Sequence, residues 1–317
     1  MSFYWSEYRS NEKILLDEFV CNNGASFFHQ PDFFNYHPNS RFDFFHLVCR
    51  QNEKIVAWLP GHKVDNTFFS PAGATYGGPL WMKSLPIDKR IECTKHLKLK
   101  IKELSFEKIH FQLPPAFYFG DTSFILSASC FKLSDRLASH ALNLAGSDWP
   151  EALSKSKRYD YRKAIKANID ISELCFSNLS AFYSLLEQQS MRKQTKPTHN
   201  EKELSELVRL LPGRLRLFGA KSSNQLISAV LVIIISSKIA YTFYIVSRDF
   251  EINPGATLVT ITHIAKTLKN EGFHWLDLGP STESRFRVNT GLAMFKDSLG
   301  SILFTRDEWT FSFLINE

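Results

Sequence analysis

The chain has 317 residues, 44% of them hydrophobic and 22% charged, a length that suits two domains, each large enough to bury its own core. Its net charge of +6 permits a phosphate-bearing partner without demanding one. Five scattered cysteines with no C-x-x-C pair exclude a disulfide framework and a cysteine zinc site, so no metal is expected.

Residues 1–7 carry no basic stretch ahead of an apolar core, so no signal peptide is expected and the cytoplasm is the expected compartment. Phenylalanine pairs such as Phe27-Phe28, Phe33-Phe34 and Phe44-Phe45 read as aromatic core. Residues 54–60 read as a strand, 63–66 form a polar turn, and a glycine-rich strand is expected over 70–79. An amphipathic helix follows, with Ile91, Leu97, Ile101 and Leu104 on its apolar side, and then a strand over 108–113 that Pro114-Pro115 stops. Residues 140–144 look like the last strand of this half. Asp148 then stands three residues before Glu151, the spacing of a capping box, and is expected to start a helix.

In that helix Lys155, Arg158, Arg162 and Lys166 recur at spacings of 3, 4 and 4 and form one basic stripe. Six basic residues stand there against one acid, Asp160, so internal pairing cannot neutralise the face. The stripe is either a solvated surface or a site for an anionic partner such as a nucleotide, a coenzyme or an RNA. A helix with Phe182, Leu185, Leu186 and Gln189, a polar loop over 192–199 and a helix with Leu204, Leu207, Val208 and Leu211 come next. Pro212-Gly213 ends the last of these. A three-strand meander runs to Val246. Its apolar stretch, residues 226–235, is about half of what a bilayer span requires and reads as a buried strand. A helix with Leu258, Ile261, Ala265 and Leu268 and a strand over 273–278 complete a second run of strand, strand, helix, strand. The recurrence indicates an internal repeat. Aligning Phe106 with Phe273 sets His110 opposite Asp277, and the expected domains are residues 1–145 and 146–317.

The candidate site is the turn Asn253-Pro254-Gly255-Ala256-Thr257 ahead of the last of these helices. Amides at a helix N-terminus lack partners and carry the positive end of the macrodipole, so they suit a pyrophosphate. Asp277 lies in an apolar strand; it is either a carboxylate whose pKa burial raises towards general-base use, or a cap for the turn at Gly279-Pro280. Tyr244, on the last meander strand, either faces the cradle and donates to a leaving group or is packed. Ser281 and Arg285 in the loop beyond the strand are candidates to meet substrate. Tyr76 and Gly77 of Tyr76-Gly77-Gly78-Pro79 are candidates for the acceptor side of a cleft between domains. The first half has Pro86-Ile87 where the second has Pro254-Gly255, so its own cradle is expected to be dead.

Three antiparallel strands, a turn, a helix and a further strand are the order of the GCN5-related N-acetyltransferase (GNAT) fold. The turn Glu251-Ile252-Asn253-Pro254-Gly255-Ala256 resembles a degenerate form of that family's coenzyme A loop, with Pro254 at the first glycine and Glu251 at the basic or amide position. The whole chain resembles the two-domain Fem-type transferases of peptidoglycan bridges. The segments that carry this are His29-Gln30-Pro31, Tyr76-Gly77-Gly78-Pro79, the basic helix, Trp275-Leu276-Asp277-Leu278-Gly279 and the closing run 291–300, which resembles G-L-x-x-F-K-x-x-F-G with Leu299 at the aromatic position.

The resemblance implies an α/β protein with mixed α+β sheets: tandem GNAT-like domains, each a mostly antiparallel sheet flanked by helices. It implies N-acyl transfer from an acyl-CoA or an aminoacyl-tRNA to an amine on a small molecule or a cell-envelope precursor. By the same resemblance Lys296 offsets negative charge on donor or tetrahedral intermediate; otherwise it is a surface lysine. Arg158 and Arg162, with Asn253, Gly255, Ala256 and Thr257, then hold the donor's phosphates, while Asp277, Lys296 and Tyr244 serve the chemistry. Three functions compete: an acyl-thioester N-acyltransferase, a tRNA-dependent aminoacyltransferase, and a catalytically dead binding module. The NPGA turn favours the first, the basic stripe and two-domain length the second, and the degenerate loop the third.

Overall fold

The computed structural model describes residues 3–24, 27–38, 41–70, 73–167, 169–248, 255–284 and 286–313. The chain's contacts gather into two units. The first holds Met1–Ala138, Ser284–Phe286 and Thr305–Glu317; the second holds Ser139–Glu283 and Arg287–Phe304. The single cut expected at 145/146 is therefore replaced by a boundary at 138/139 and a return of the last strand to the first unit.

The first unit contains β1 (Tyr4–Glu7), α1 (Lys13–Asn22), β2 (Asp43–Phe44), β3 (Leu47–Gln51), β4 (Lys54–Leu59), β5 (His62–Val64), β6 (Thr67–Ser70) and β7 (Leu80–Trp81). It continues with α2 (Ile87–Glu103), β8 (Lys108–Gln112), α3 (Ala116–Phe119), α4 (Ser123–Ala128) and the start of β9 (Lys132–Asn143). β1, β3, β4 and β7 form an antiparallel sheet, while β8 pairs in parallel with β6 and antiparallel with the chain's last strand. Leu97 and Ile101 of α2 are fully buried against Phe68, Ile109 and Phe111, which is the face their helical spacing marks out. Of the strand expected over 70–79, only Ser70 lies in a strand among the described residues. Gly77 N donates to Gln112 O at 2.7 Å and Gly78 N to Ser70 Oγ at 2.8 Å, so the segment folds back as a loop. Gly78 has φ +82, and a Cβ there would stand 2.7 Å from the Leu113 side chain, so only glycine fits.

The second unit takes the end of β9, then α5 (Lys155–Lys166), β10 (Asp170–Leu174), α6 (Leu179–Arg192), α7 (Glu201–Leu210), β11 (Leu215–Ser222), β12 (Gln225–Ser236) and β13 (Ile239–Ser247). After α8 (Ala256–Asn270) and β14 (Trp275–Pro280) come the short β15 (Thr282–Ser284) and β16 (Arg287–Val288), then α9 (Thr290–Ser298) and the start of β17 (Ile302–Ser312), which from Thr305 on belongs to the first unit. Its strand order is β10-β11-β12-β13-β14-β9, antiparallel except for the parallel pair β13–β14. Leu226 to Val232 along β12 are buried without alternation, as expected when both faces of a strand are covered. α8 covers one face through Leu258, Ile261, Ile264, Ala265 and Leu268, which meet Val230, Val232 and Ala240, and α6 also packs against β12 and β13.

One helix start differs from expectation. Ser154, not Asp148, caps α5 by accepting from Lys157 N, while Asp148 accepts from Lys269 Nζ at 2.5 Å. Asn200 caps α7 in a reciprocal box with Glu203, a spacing readable in the sequence.

The internal repeat is present in the strand registers. β6, α2 and β8 form a parallel crossover in which Phe69 pairs with His110; β13, α8 and β14 form another in which Tyr241 pairs with Asp277. His110 and Asp277 are each the third residue of the strand that closes its crossover.

Candidate active site at the fork of the parallel strands

β13 and β14 pair at Ile239–Trp275, Ala240–Leu276 and Tyr241–Asp277 and then part, although β13 runs on to Ser247 and β14 to Pro280. At the fork, Thr242 Oγ1 donates to Asp277 O at 3.2 Å, replacing a ladder bond with a side-chain bond. On its other edge β13 carries a bulge: Leu231 pairs with Tyr244 and Val232 with Thr242, so Phe243 is an extra residue. A bulge twists and re-aims the strand that bears it. α8 leaves from the C-terminal end of β13 and β14 is parallel to it, so the start of α8, the fork and the end of β14 lie at one end of the pair. Ligands of open α/β sheets bind at that end.

The end of β14 is held from two sides. Asp277, fully buried, accepts from Gly279 N through Oδ1 at 2.6 Å, the turn-cap arrangement. Lys296, only 3% exposed, donates through Nζ to Gly279 O at 2.9 Å and Pro280 O at 2.8 Å. Asp277 and Lys296 therefore converge on one short stretch of backbone. Gly279 has φ +79, and a Cβ would press on the Tyr241 ring at 3.3 Å. Ser281 follows at 1% exposure, its Oγ 3.1 Å from His140 Nδ1, and His140 Nε2 lies 3.2 Å from Asp297 Oδ1. Burial, then the nearby Lys296 charge, hold the His140 pKa below its ordinary value, against the opposing pull of Asp297 and Asp277.

α8 begins at Gly255, whose φ of +100 is left-handed. A Cβ there would meet Ala164 Cβ of α5 at 3.0 Å, so the cradle expected from the turn lies beside the basic helix. Ala256 is buried with Ala220 and Ile227, and Thr257 is half-buried. On α5, Lys157 pairs with Asp160 at 2.9 Å, and Arg158 donates to Glu151 O and Leu153 O at 2.8 and 2.9 Å. Arg158 thus anchors the turn before its own helix, whereas Arg162, Lys163 and Lys166 are exposed.

Tyr244 lies towards the C-terminal end of β13. Its ring meets Phe182 of α6, and its hydroxyl lies 2.6 Å from His199 Nδ1. Burial pushes its pKa up to about 12, opposed by bonds from Thr198 and the His199 backbone. Tyr76 belongs to the first unit and is fully buried, edge-on to Phe28 at 4.8 Å and Tyr118 at 5.1 Å; with the buried Gly77 it is core rather than a surface for an acceptor. Asn253 and Arg285 lie outside the described residues.

His140, His199 and Asp297 carry no mark of function in the sequence. The first is an alternating strand position, the second ends a polar loop, and the third is adjacent to Lys296 in the closing run. Among the described residues no group of histidine, cysteine or carboxylate side chains could hold a metal ion, and no helix is long and apolar enough to cross a membrane.

Residues 155–287 match the family model of the acetyltransferase (GNAT) domain. No curated protein matches the chain. Among solved structures, FemX superposes with a TM-score of 0.71 at 12% identity, over 98% of this chain and 97% of its own. L-PGS from Bacillus licheniformis gives 0.62 at 10% identity over 93% and 90%, and a tandem GNAT protein from the clavulanic acid biosynthesis pathway gives 0.58 at 12% over the full length of both. At these identities the likeness is one of fold. The match over residues 155–287 and these neighbours along its whole length show that the chain has a GNAT fold.

Proposed function

We propose that this chain is an N-acyltransferase that takes an acyl group from an acyl-CoA-type thioester and passes it to an amine. The observation that carries this reading is the fork between β13 and β14. An extended thiol arm laid into it meets backbone groups that the two strands no longer give each other. The start of α8, with the exposed Arg162, Lys163 and Lys166 on the neighbouring helix, supplies positive potential for the donor's phosphates. Lys296, fixed on the Gly279 and Pro280 carbonyls at the end of β14, is the cation we assign to offsetting charge that develops on the carbonyl oxygen. Asp277 shapes the turn that presents these groups.

The donor is tested by thermal shift. Acetyl-CoA or a longer acyl-CoA at a hundredfold excess over Kd stabilises by about 2.7 kcal/mol if it binds the folded state alone. No stabilisation by any acyl-CoA sinks the thioester reading. The exposed basic residues of α5 favour one alternative, an aminoacyl-tRNA donor, as the resemblance to Fem-type transferases also allows. Its signature is a tRNA affinity that falls steeply with salt.

A further inference from the structure

The second unit holds a polar constellation, with its serine and histidine buried and its aspartate exposed, that the proposed reading leaves unused. His140 on β9, Ser281 beyond β14 and Asp297 on α9 come from three elements and form a continuous hydrogen-bonded line, with Ser281 Oγ to His140 Nδ1 at 3.1 Å and His140 Nε2 to Asp297 Oδ1 at 3.2 Å. A carboxylate only accepts, so Nε2 of the neutral ring carries its proton and Nδ1 turns a lone pair to the serine hydroxyl, which donates. Ser281 is the residue after the Gly279–Pro280 backbone on which Lys296 ends. Burying an imidazole at 3% exposure between two polar partners costs desolvation that plain packing would avoid.

We propose that His140, acting through the Ser281 hydroxyl and oriented by Asp297, is the proton acceptor for transfer at the forked end of β13 and β14. The proposal rests on the acyl-transfer reading of that fork. As the amine nitrogen bonds to the donor carbonyl carbon, it must lose a proton. That proton passes to Ser281 Oγ while the serine gives its own to His140 Nδ1, and Asp297 stabilises the imidazolium. The carbon–sulfur bond breaks with its electron pair on sulfur, and the same line run backwards returns the proton to the thiolate. Ser281 and His140 end as they began. The charged groups that bear on the ring are Lys296, which disfavours its protonation, and Asp297 and Asp277, which favour it.

Two measurements test this. Imidazole nitrogen-15 spectra of the wild type and Asp297→Asn from pH 4 to 8 read the tautomer and midpoint of His140 with no donor present. The expected result is a neutral ring protonated at Nε2 at pH 7, titrating below 6.5 and lower still in Asp297→Asn. A ring protonated at Nδ1, or charged at pH 7, overturns the proposal. The second measurement is acetyl transfer from acetyl-CoA to a small primary amine against pH. The rate should fall as pH drops through the His140 midpoint, and that limb should move down in Asp297→Asn in step with the spectra. His140→Gln and Ser281→Ala should each lower kcat by about a hundredfold without a matching rise in KM. An unchanged acid limb in Asp297→Asn, or full activity in Ser281→Ala, also overturns it. A wild type with the expected spectra but no acetyl transfer refutes the thioester donor and leaves the relay supported by its tautomer. Asp297 is 61% exposed, so Asp297→Asn keeps the test usable if His140→Gln does not fold.

Discussion

Lys296 sits in the last turn of α9 with its ammonium on two carbonyls and almost no access to water. Truncation to Lys296→Met would leave Gly279 O and Pro280 O without that donor in a buried site, and an unmet buried polar group costs about 1–3 kcal/mol. We expect the urea midpoint to drop accordingly and transfer to be lost, because the end of β14 and the charge beside the fork disappear together. Full activity at normal stability in that variant would remove Lys296 from the chemistry. Gly255 is a different kind of requirement. Its φ of +100 and the 3.0 Å approach to Ala164 make Gly255→Ala strained twice, by backbone and by contact. A left-handed residue with a Cβ costs about 1–2 kcal/mol, and the displaced helix start should weaken acyl-CoA binding as well. Calorimetric titration beside a thermal melt separates the two effects.

The basic helix α5 combines two roles that its spacing alone could not separate. Lys157 and Arg158 are used internally, on Asp160 and on the carbonyls of Glu151 and Leu153; Lys163 and Lys166 remain exposed. Reversing the latter pair with Lys163→Glu and Lys166→Glu should leave stability within about 0.5 kcal/mol, as for most surface changes. Each lost cation near a phosphate is worth about 1 kcal/mol, roughly fivefold in Kd, so donor affinity should drop and its salt dependence flatten. Unchanged affinity for both acyl-CoA and tRNA would make the stripe a solvated face. The periodic elements were legible in the sequence for the same physical reason that they fold: α2, α8 and β12 bury what their spacing marks. Even the recurrence of strand, helix and strand is readable, since the elements follow in the same order. The fork was not legible, because it depends on where two parallel strands cease to pair. His140 and Asp297 were missed for a related reason: they stand far apart along the chain and meet only when β9 and α9 flank the end of β14. The strand expected through Tyr76 failed because Gly77 and Gly78 turn their amides to Gln112 and Ser70.

Acid sensitivity follows from how the first unit is packed. Its aromatic cluster encloses histidines whose burial disfavours the protonated ring. His46 lies 4.6 Å from the Phe34 ring and is stacked on Phe44 at 5.4 Å, while His29 touches Tyr76 and Phe119. Burial is the largest cause in each case and lowers the pKa of His46 to about 3 and of His29, His62 and His110 to about 4. In the unfolded chain these rings titrate near 6.5. Between that value and about 4 the unfolded state binds protons that the folded state refuses, so folding is penalised as pH falls through this window. Above about pH 7 both states are neutral and the contribution is fully present; below the folded values the loss has run its course. Each ring contributes at most about 1.4 kcal/mol per pH unit to the slope. Urea midpoints should therefore be level from pH 8 to 7 and fall steadily from 6.5 towards 4. His46 Nδ1 accepts from Gly61 N at 3.1 Å, a bond that a glutamine oxygen can also accept. His46→Gln should keep the fold at pH 7 and flatten the acid decline by one proton. A wild-type midpoint that does not move between pH 6.5 and 4.5 would mean that these rings admit water and titrate normally.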